Sequence, residues 1–535
     1  MNNPNPKLEI LLSEDITLSE DDVSACVRVL RAIEADRSHL ARLTLEQRRE
    51  LLMLAGLVAK PERHDVTRMA KAFRRAKREI AKEHDRRIIE RAGLRIQRRS
   101  KIYAPLWLER PKAEVAHDRV EFAGHAHDGP EFHQERNCYV CKKPFAKMHR
   151  YYDSLCEACG DINYAKREQT ADLNGHYALI TGARVKIGFQ ASLKLLRAGA
   201  HVIVTTRFPV DAVDRYSKEL DYPAFRERLQ IHGLDLRHTP SVEIFAQFLL
   251  ERLPRLDYIL NNACQTVRRP AGFFQHLLGK ESESLGKLPE DWRAPLAAHG
   301  ELRRSIEGSR ARCGGRLAAT AAAVPSPTAR QHGEGLLHSA ALSQRRYLDE
   351  DYLGGEALFP ADRYDEDLQQ VDLREVNSWR LRMHEVETPE LLEVQLVNAV
   401  APYVLNARLK PLMLRTPERH KHVVNVSAVE GQFYRTTKTD KHPHTNMAKA
   451  ALNMMTRTSA PDFVKGGIHM NAVDTGWVTD EDPAAHAARK ADLGFSPPLD
   501  IIDGAARIVD PIFAGNLTGV HVWGQFLKDY KPAPW

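Results

Sequence analysis

LITGARVKIG, residues 179–188, joins the end of an apolar run to the start of an amphipathic one. Read as strand, tight turn and helix, it needs Gly182 for the turn and Gly188 for close helix packing. The backbone amides at the helix N-terminus can then face a pyrophosphate. Around it the periodicity alternates: HYALITG (176–182), a helix through GFQASLKLLRAG (188–199), AHVIVTTR (200–207), a helix, LQIHGLDL (229–236), a helix, and LDYILNNA (256–263). Strands alternating with helices of about 10 to 15 residues call for a parallel, doubly wound α/β sheet. The pattern resumes with Thr388 as N-cap and Pro389 opening PELLEVQLVNAVAPYVLNARL, then HVVNVS (422–427), HTNMAKAALNMMT (444–456) and IHMNAVDTG (468–476). In the helix at 444–456, Ala448, Ala451, Leu452 and Met455 are expected on one apolar stripe.

Between the two series, about 270 to 385 reads as an insertion able to fold over the site. Its segment GSRARCGGRLAATAAAVPSPTARQHGEG offers little to bury and reads as a mobile loop, and an acidic, aromatic stretch follows.

Ahead of the sheet the chain reads as a basic helical region (1–110), a Pro- and His-bearing connector (111–135) and a cysteine module (136–170), with the sheet domain at 171–535. Helices are expected at about 19–35 (Ser19 the cap), 45–59 (Thr44 and Gln47 a capping box) and 63–97. From Lys71 to Lys101 stand 13 basic residues against 4 acidic ones, with Phe73, Ala76 and Ile80 spaced to pack one face. A long solvated helix is favoured there over a nucleic-acid surface. Cys138, Cys141, Cys156 and Cys159 form C-x2-C…C-x2-C with 14 residues between the pairs. That spacing predicts a structural zinc ribbon or treble clef, its four thiolates leaving no open coordination position. His133 and His149 read as surface histidines.

The composition is 43% hydrophobic and 28% charged, with a net charge of +7 that names no partner by itself. No apolar run approaches a membrane span, and the N-terminus lacks the basic start and apolar core of a secretory signal, so a cytoplasmic protein is expected.

The ordered set of T-G-x-x-x-K-x-G in the glycine turn, where the family has T-G-x-x-x-G-x-G, then D-L at 235–236, N-N-A at 261–263, Asn398 in the next helix, V-N-x-S at 424–427 and a lysine at 449, resembles the short-chain dehydrogenases/reductases. The resemblance implies an oxidoreductase acting on a carbonyl or alcohol. It places Gly182, Arg184, Ile187 and Gly188 at the pyrophosphate, Asp235 at the adenine, Asn261 and Ala263 on the adenosine side, and Thr475 to Val478 near the carboxamide. Lys449 and Asn398 match the family's catalytic lysine and asparagine. Arg207 stands where an acidic residue would bind a free ribose 2′-hydroxyl, so NADP is favoured over NAD; alternatively Arg207 pairs with Asp211 or Asp214.

Several positions depart from the pattern. Lys186 replaces the middle glycine, Cys264 the glycine after N-N-A, and Thr475 a proline. Ala428 occupies the serine slot, so Ser427 would serve only through a bulge. Thr445 occupies the tyrosine slot, and its hydroxyl is a far weaker acid. Tyr434, on the preceding loop, and His444 are the candidate substitutes. The alternative is a non-catalytic NADP-binding sensor or scaffold that uses its helical and zinc modules on a protein partner. A homo-oligomer is also compatible with the sequence.

Overall fold

The computed structural model describes residues 19–99, 130–283, 285–313, 332–352, 355–365, 369–434 and 438–535. Most of the connector, and most of the Ala- and Gly-rich segment read as mobile, lie outside the described residues. The chain forms two compact units, Met1–Glu83 and His84–Trp535.

The first unit contains α1 (Glu20–Ala35), α2 (Leu45–Ala59) and most of α3 (Arg63–Ile89). The expected cap at Ser19 forms as a full capping box with Asp22, and the expected Thr44–Gln47 box forms too. Ser19 Oγ accepts from Asp22 N at 3.1 Å while Asp22 Oδ2 accepts from Ser19 N at 3.0 Å, and Thr44 and Gln47 do the same at 3.2 Å. No residue of α1 or α2 is buried. Phe73, Ala76 and Ile80 are exposed as well, which corrects the expectation that they pack one face of the basic helix. The helix expected to run to about 97 stops at Ile89, and α4 (Gly93–Arg99) follows.

In the second unit, β1 (Glu131–Asn137) and β2 (Pro144–Lys147) make an antiparallel hairpin, and α5 (Glu157–Glu168) starts behind Cys156. Phe132, Phe145, Met148, Tyr151, Tyr152 and Leu155 form a core with Ile88, Ala92 and Leu94 on one side and Val478 and Leu499 on the other. His149 is not a surface residue but 4% exposed. Its Nδ1 accepts from Tyr151 N and Tyr152 N, and its ring lies where a Cβ on Gly160 would stand. Sequence spacing could not show this, since only the fold brings α5 onto the ring.

The main sheet has the order β10-β9-β8-β7-β6-β3-β4-β5 and is parallel except for the β9–β10 hairpin. Its strands are β3 (Tyr177–Thr181), β4 (His201–Thr206), β5 (Leu229–Gly233), β6 (Tyr258–Asn261), β7 (Lys421–Ser427), β8 (Ile468–Asp474), β9 (Phe526–Lys528) and β10 (Lys531–Ala533). α6 (Lys186–Arg197), α7 (Pro209–Tyr216) and α12 (Ile501–Thr518) cover one face. α8 (Thr239–Arg252), α10 (Ala401–Met413) and α11 (Pro443–Phe463) cover the other, so strands buried on both sides read as continuous Val, Ile and Leu. α9 (Thr388–Gln395) runs into α10 through a π turn at Leu396–Val400. Glu387, not Thr388, holds its N-cap position.

The insertion between β6 and α9 does two things. The helix Glu290–Cys313 lies along β5 and buries Leu296, Leu302 and Ile306, which closes that edge of the sheet. Other insertion segments lie over the C-terminal ends of the strands. Ser339 Oγ donates to Arg207 O at 2.8 Å, Asp235 N donates to Gly335 O at 2.8 Å, and Phe274 packs 5.1 Å from Phe208.

Candidate cofactor and catalytic site

The turn after β3 is built as the sequence requires. Gly182 has φ +67°, and a Cβ there would stand 2.8 Å from Ala263 Cα. A Cβ on Gly188 would lie 2.4 Å from both Asn262 Nδ2 and Gly182 O. Gly188→Ala should therefore destabilise the fold by about 1–3 kcal/mol, although alanine is ordinarily the better helix former. Thermal denaturation reads the loss, and an unchanged melting temperature would refute this tight packing. Lys186 adopts φ +55°, a left-handed conformation that glycine would take without cost. Its charge helps hold the half-buried Glu481 carboxyl below its usual range, against the upward push of desolvation.

Arg184 Nη1 donates to Asp211 Oδ2 at 2.6 Å, and Arg215 Nε donates to the same oxygen at 2.9 Å. Burial pushes the Asp211 carboxyl up, but these two guanidiniums hold it far below its usual range. Asp214 is engaged by Lys218 and Lys280. Both carboxylates offered as partners for Arg207 are thus held by other cations. Among the described residues no carboxylate lies within 4.0 Å of Arg207; its guanidinium lies 4.5 Å from the Phe274 ring centre. Burial, and then the charge of Arg237, pull it down to about 10, still a cation at neutral pH.

Asp235 is buried and forked to Arg237, whose Nη1 also donates to Glu393 at 2.8 Å. The Asn261 side chain is spent inside the core, donating to Asn406 and Asn425 at 2.9 and 2.8 Å. Ala263 N donates to Thr181 Oγ1, and Ile187 packs toward Val478 and Gly504. Thr475 is half-buried at the end of β8.

On the catalytic side, Lys449 is 5% exposed and its Nζ donates to Val426 O at 2.8 Å. Among the described residues no carboxylate pairs with it. Asn398 sits in the π turn, where its Oδ1 accepts from Gln265 N at 2.7 Å and its Nδ2 donates to Gln265 O at 3.1 Å. Such single-turn bulges recur at functional sites. The register of β7 on β8 runs unbroken from Lys421↔Ile468 to Ser427↔Asp474, so no bulge reorients Ser427. Its hydroxyl instead donates to Asn453 Oδ1 at 2.6 Å. Thr445 is buried with Oγ1 unpartnered among the described residues. Tyr434 is 53% exposed. The buried side of α11 is more polar than expected: His444, Thr445, Lys449 and Asn453 join Ala448 and Leu452, while Ala451 is exposed.

Sequence reasoning missed two residues. Glu390, 3% exposed on α9, has Oε1 3.6 Å from Nε2 of buried His444, whose ring nitrogens make no hydrogen bond among the described residues. Tyr139, between the first cysteine pair, accepts a 2.8 Å hydrogen bond from Trp477 N in the loop after β8. No local signal in C-Y-V-C marks that contact.

Residues 176–282 match the family described as short chain dehydrogenase, and residues 376–493 match the one described as enoyl-(acyl carrier protein) reductase; the gap between them is the insertion. The chain is a member of the short-chain dehydrogenase/reductase superfamily. An uncharacterized protein of Acanthamoeba polyphaga mimivirus is 29% identical over 412 residues, 74% of each chain. (+)-Neomenthol dehydrogenase of Arabidopsis thaliana is 32% identical over 96 residues, 17% of this chain and 32% of that enzyme's length. Among solved structures, the carbonyl reductase Sniffer of D. melanogaster superposes with a TM-score of 0.37 at 16% identity, over 67% of this chain and 99% of that one. This superfamily member is thus of an oxidoreductase family, and among its described residues no helix is long and apolar enough to cross a membrane.

The four cysteine sulfurs lie within 4.8 Å of one another, with Cys141 Sγ and Cys156 Sγ 3.7 Å apart. A tetrahedral zinc with bonds of about 2.3 Å has sulfurs roughly 3.8 Å apart, so the donor set fits that ion.

Proposed function

We propose that the chain is an NADP-dependent oxidoreductase of carbonyl or alcohol substrates, with its proton-transfer group moved off position 445. The observation that supports this best is a pair of cations that make no close ion pair among the described residues, Arg207 after β4, which feels Asp235 and Glu393 only at longer range, and Lys449 beside β7. They stand three strand spacings apart, roughly 14 Å at about 4.8 Å each, a separation a dinucleotide spans. A half-buried guanidinium and a buried ammonium without close ion pairs call for an anion or acceptor from outside the chain. Arg207 would take the 2′-phosphate. Lys449 has donors left after Val426 O for the hydroxyls of the nicotinamide ribose. The glycine turn would seat the pyrophosphate, with Gly182, Gly188 and the amide of Ile187, while Arg184, already paired with Asp211, adds little net charge. Asp235, Ala263, the backbone at Asn261 and Thr475 would line the adenosine and carboxamide ends.

When bound, the nicotinamide supplies or accepts the hydride. The chain must then move one proton at the substrate oxygen. We favour His444, buried against Glu390, as that proton carrier over half-exposed Tyr434. Asn398 would hold a water beside it, and Ser427 would orient Asn453. Cys138, Cys141, Cys156 and Cys159 would hold a structural zinc.

NADPH oxidation over a panel of carbonyl compounds tests the reading. His444→Gln should abolish turnover while NADPH affinity is kept, whereas Tyr434→Phe should leave both unchanged; loss of turnover in Tyr434→Phe alone would return the donor to the loop. Lys449→Ala should weaken NADPH binding by about 1–3 kcal/mol, the range for charge-assisted hydrogen bonds. The buried, unpartnered hydroxyl of Thr445 in the tyrosine slot favours a second reading, a non-catalytic NADP sensor. NADPH binding without oxidation by any of the panel would select it.

A further inference from the structure

At the opposite end of the strands, where they begin, five histidines gather beside β8, β7 and β3. His422 and His469 are register partners at the starts of β7 and β8, and His521 reaches them from the segment after α12. One ring nitrogen from each of these three lies within 4.8 Å of the others. His422 Nε2 and His521 Nδ1 are 2.9 Å apart, and the His469 and His521 rings stack with centres 4.8 Å apart. Beyond them, His420 and His176 meet through their Nε2 atoms at 3.2 Å, and His176 contacts Tyr258 Oη at 3.0 Å.

We propose that His422, His469 and His521 form a second metal site, for a divalent transition ion of the zinc class, remote from both the cysteine module and the cofactor cleft. Three features carry it. First, the spacing brackets what the ion needs: bonds of about 2.0–2.1 Å in a tetrahedron set ligand nitrogens roughly 3.3 Å apart. Second, His469 Nδ1 lies 3.1 Å from Lys421 O. A carbonyl can only accept, so the proton resides on Nδ1 and the lone pair on Nε2, the arrangement in which backbone carbonyls orient metal-binding imidazoles. Third, the nitrogens that would face the ion converge: His422 Nε2 and His521 Nδ1 lie 2.9 Å apart, where two deprotonated imidazole nitrogens repel each other unless a proton or a cation sits between them. α12 also makes room for it. Gly515 lies so close that a Cβ there would be 2.4 Å from His521 Nδ1 and 3.1 Å from His422 Nε2.

Three neutral imidazoles without a thiolate or carboxylate suit zinc, nickel or copper and not magnesium or calcium. His422 and His469 are buried while His521 is half-buried, so the ion enters past His521 and keeps water in its fourth position. It would tie the end of α12 to the two strands.

The test is a metal count on the full chain. After loading with zinc and gel filtration, the protein should carry two ions; His521→Gln, which removes only the half-buried ligand, should carry one, as should the doubly substituted Cys156→Ser/Cys159→Ser. Should the cysteine variant fail to fold, cobalt replaces it. His521→Gln should then lose one cobalt while the thiolate-to-cobalt charge-transfer absorption stays at wild-type strength. An unchanged count in His521→Gln, whether two ions or one, overturns the proposal, because any further ion is then held elsewhere on the surface.

Discussion

Stripping the proposed zinc from the four-cysteine module should unfold residues from Glu131 to Glu168 and also weaken the proposed NADPH binding. Apparent binding energies of structural zinc reach about 10–16 kcal/mol, far more than a hairpin and one helix can supply without it. Limited proteolysis after chelation, or of Cys156→Ser, should cut within this segment. The coupling to the cofactor runs through Tyr139, whose hydroxyl holds Trp477 N at 2.8 Å in the loop expected to border the carboxamide. Losing that hydrogen bond and the packing of Val478 and Leu499 on the module should lower NADPH affinity by about tenfold, near the upper end for one bond. Tyr139→Phe isolates the effect: affinity should fall with the zinc retained. Unchanged affinity in both proteins would show that the module is only a neighbour.

Arg207→Asp should invert cofactor preference. The substitution removes a charge-assisted contact worth about 1.5–3 kcal/mol to the 2′-phosphate and adds a repulsion, so NADPH affinity should fall by about 100-fold or more. NADH has no phosphate there and should change by about threefold at most. Because Arg184 and Arg215 already hold Asp211, and Lys218 and Lys280 hold Asp214, no internal ion pair is broken. Equal losses for the two cofactors, read by fluorescence titration, would remove Arg207 from the site.

The fold was legible because its signals are local and periodic. Ser19 and Thr44 start helices by bonding amides three residues on, and Gly182 and Gly188 do work that alanine cannot. The departures arise where distant segments meet. Phe73 and Ile80 have the spacing of a packed face, but spacing does not supply a partner. His149 looks like a surface residue until α5 places Gly160 against it. Ala451 fits an apolar period that the buried polar side chains of α11 override. The catalytic side was least legible, since Glu390 reaches His444 only because α9 and α11 pack together across dozens of residues of chain.

The insertion also has a consequence in time. β3 to β6 are complete at Asn261, but β7, which covers the open side of β6, begins only at Lys421. At about 5–20 residues per second, roughly 160 further residues take some 8–32 s to synthesise. Throughout that interval the growing chain holds a four-stranded half-sheet. Its β5 border is closed early by the helix Glu290–Cys313, made within the same interval. Its β6 border stays open, a row of unpaired backbone groups able to template strands from other chains. Chains arrested before Lys421 should therefore associate with one another, whereas chains arrested after Asp474 should not, so this protein meets its greatest aggregation hazard on the ribosome and not after release.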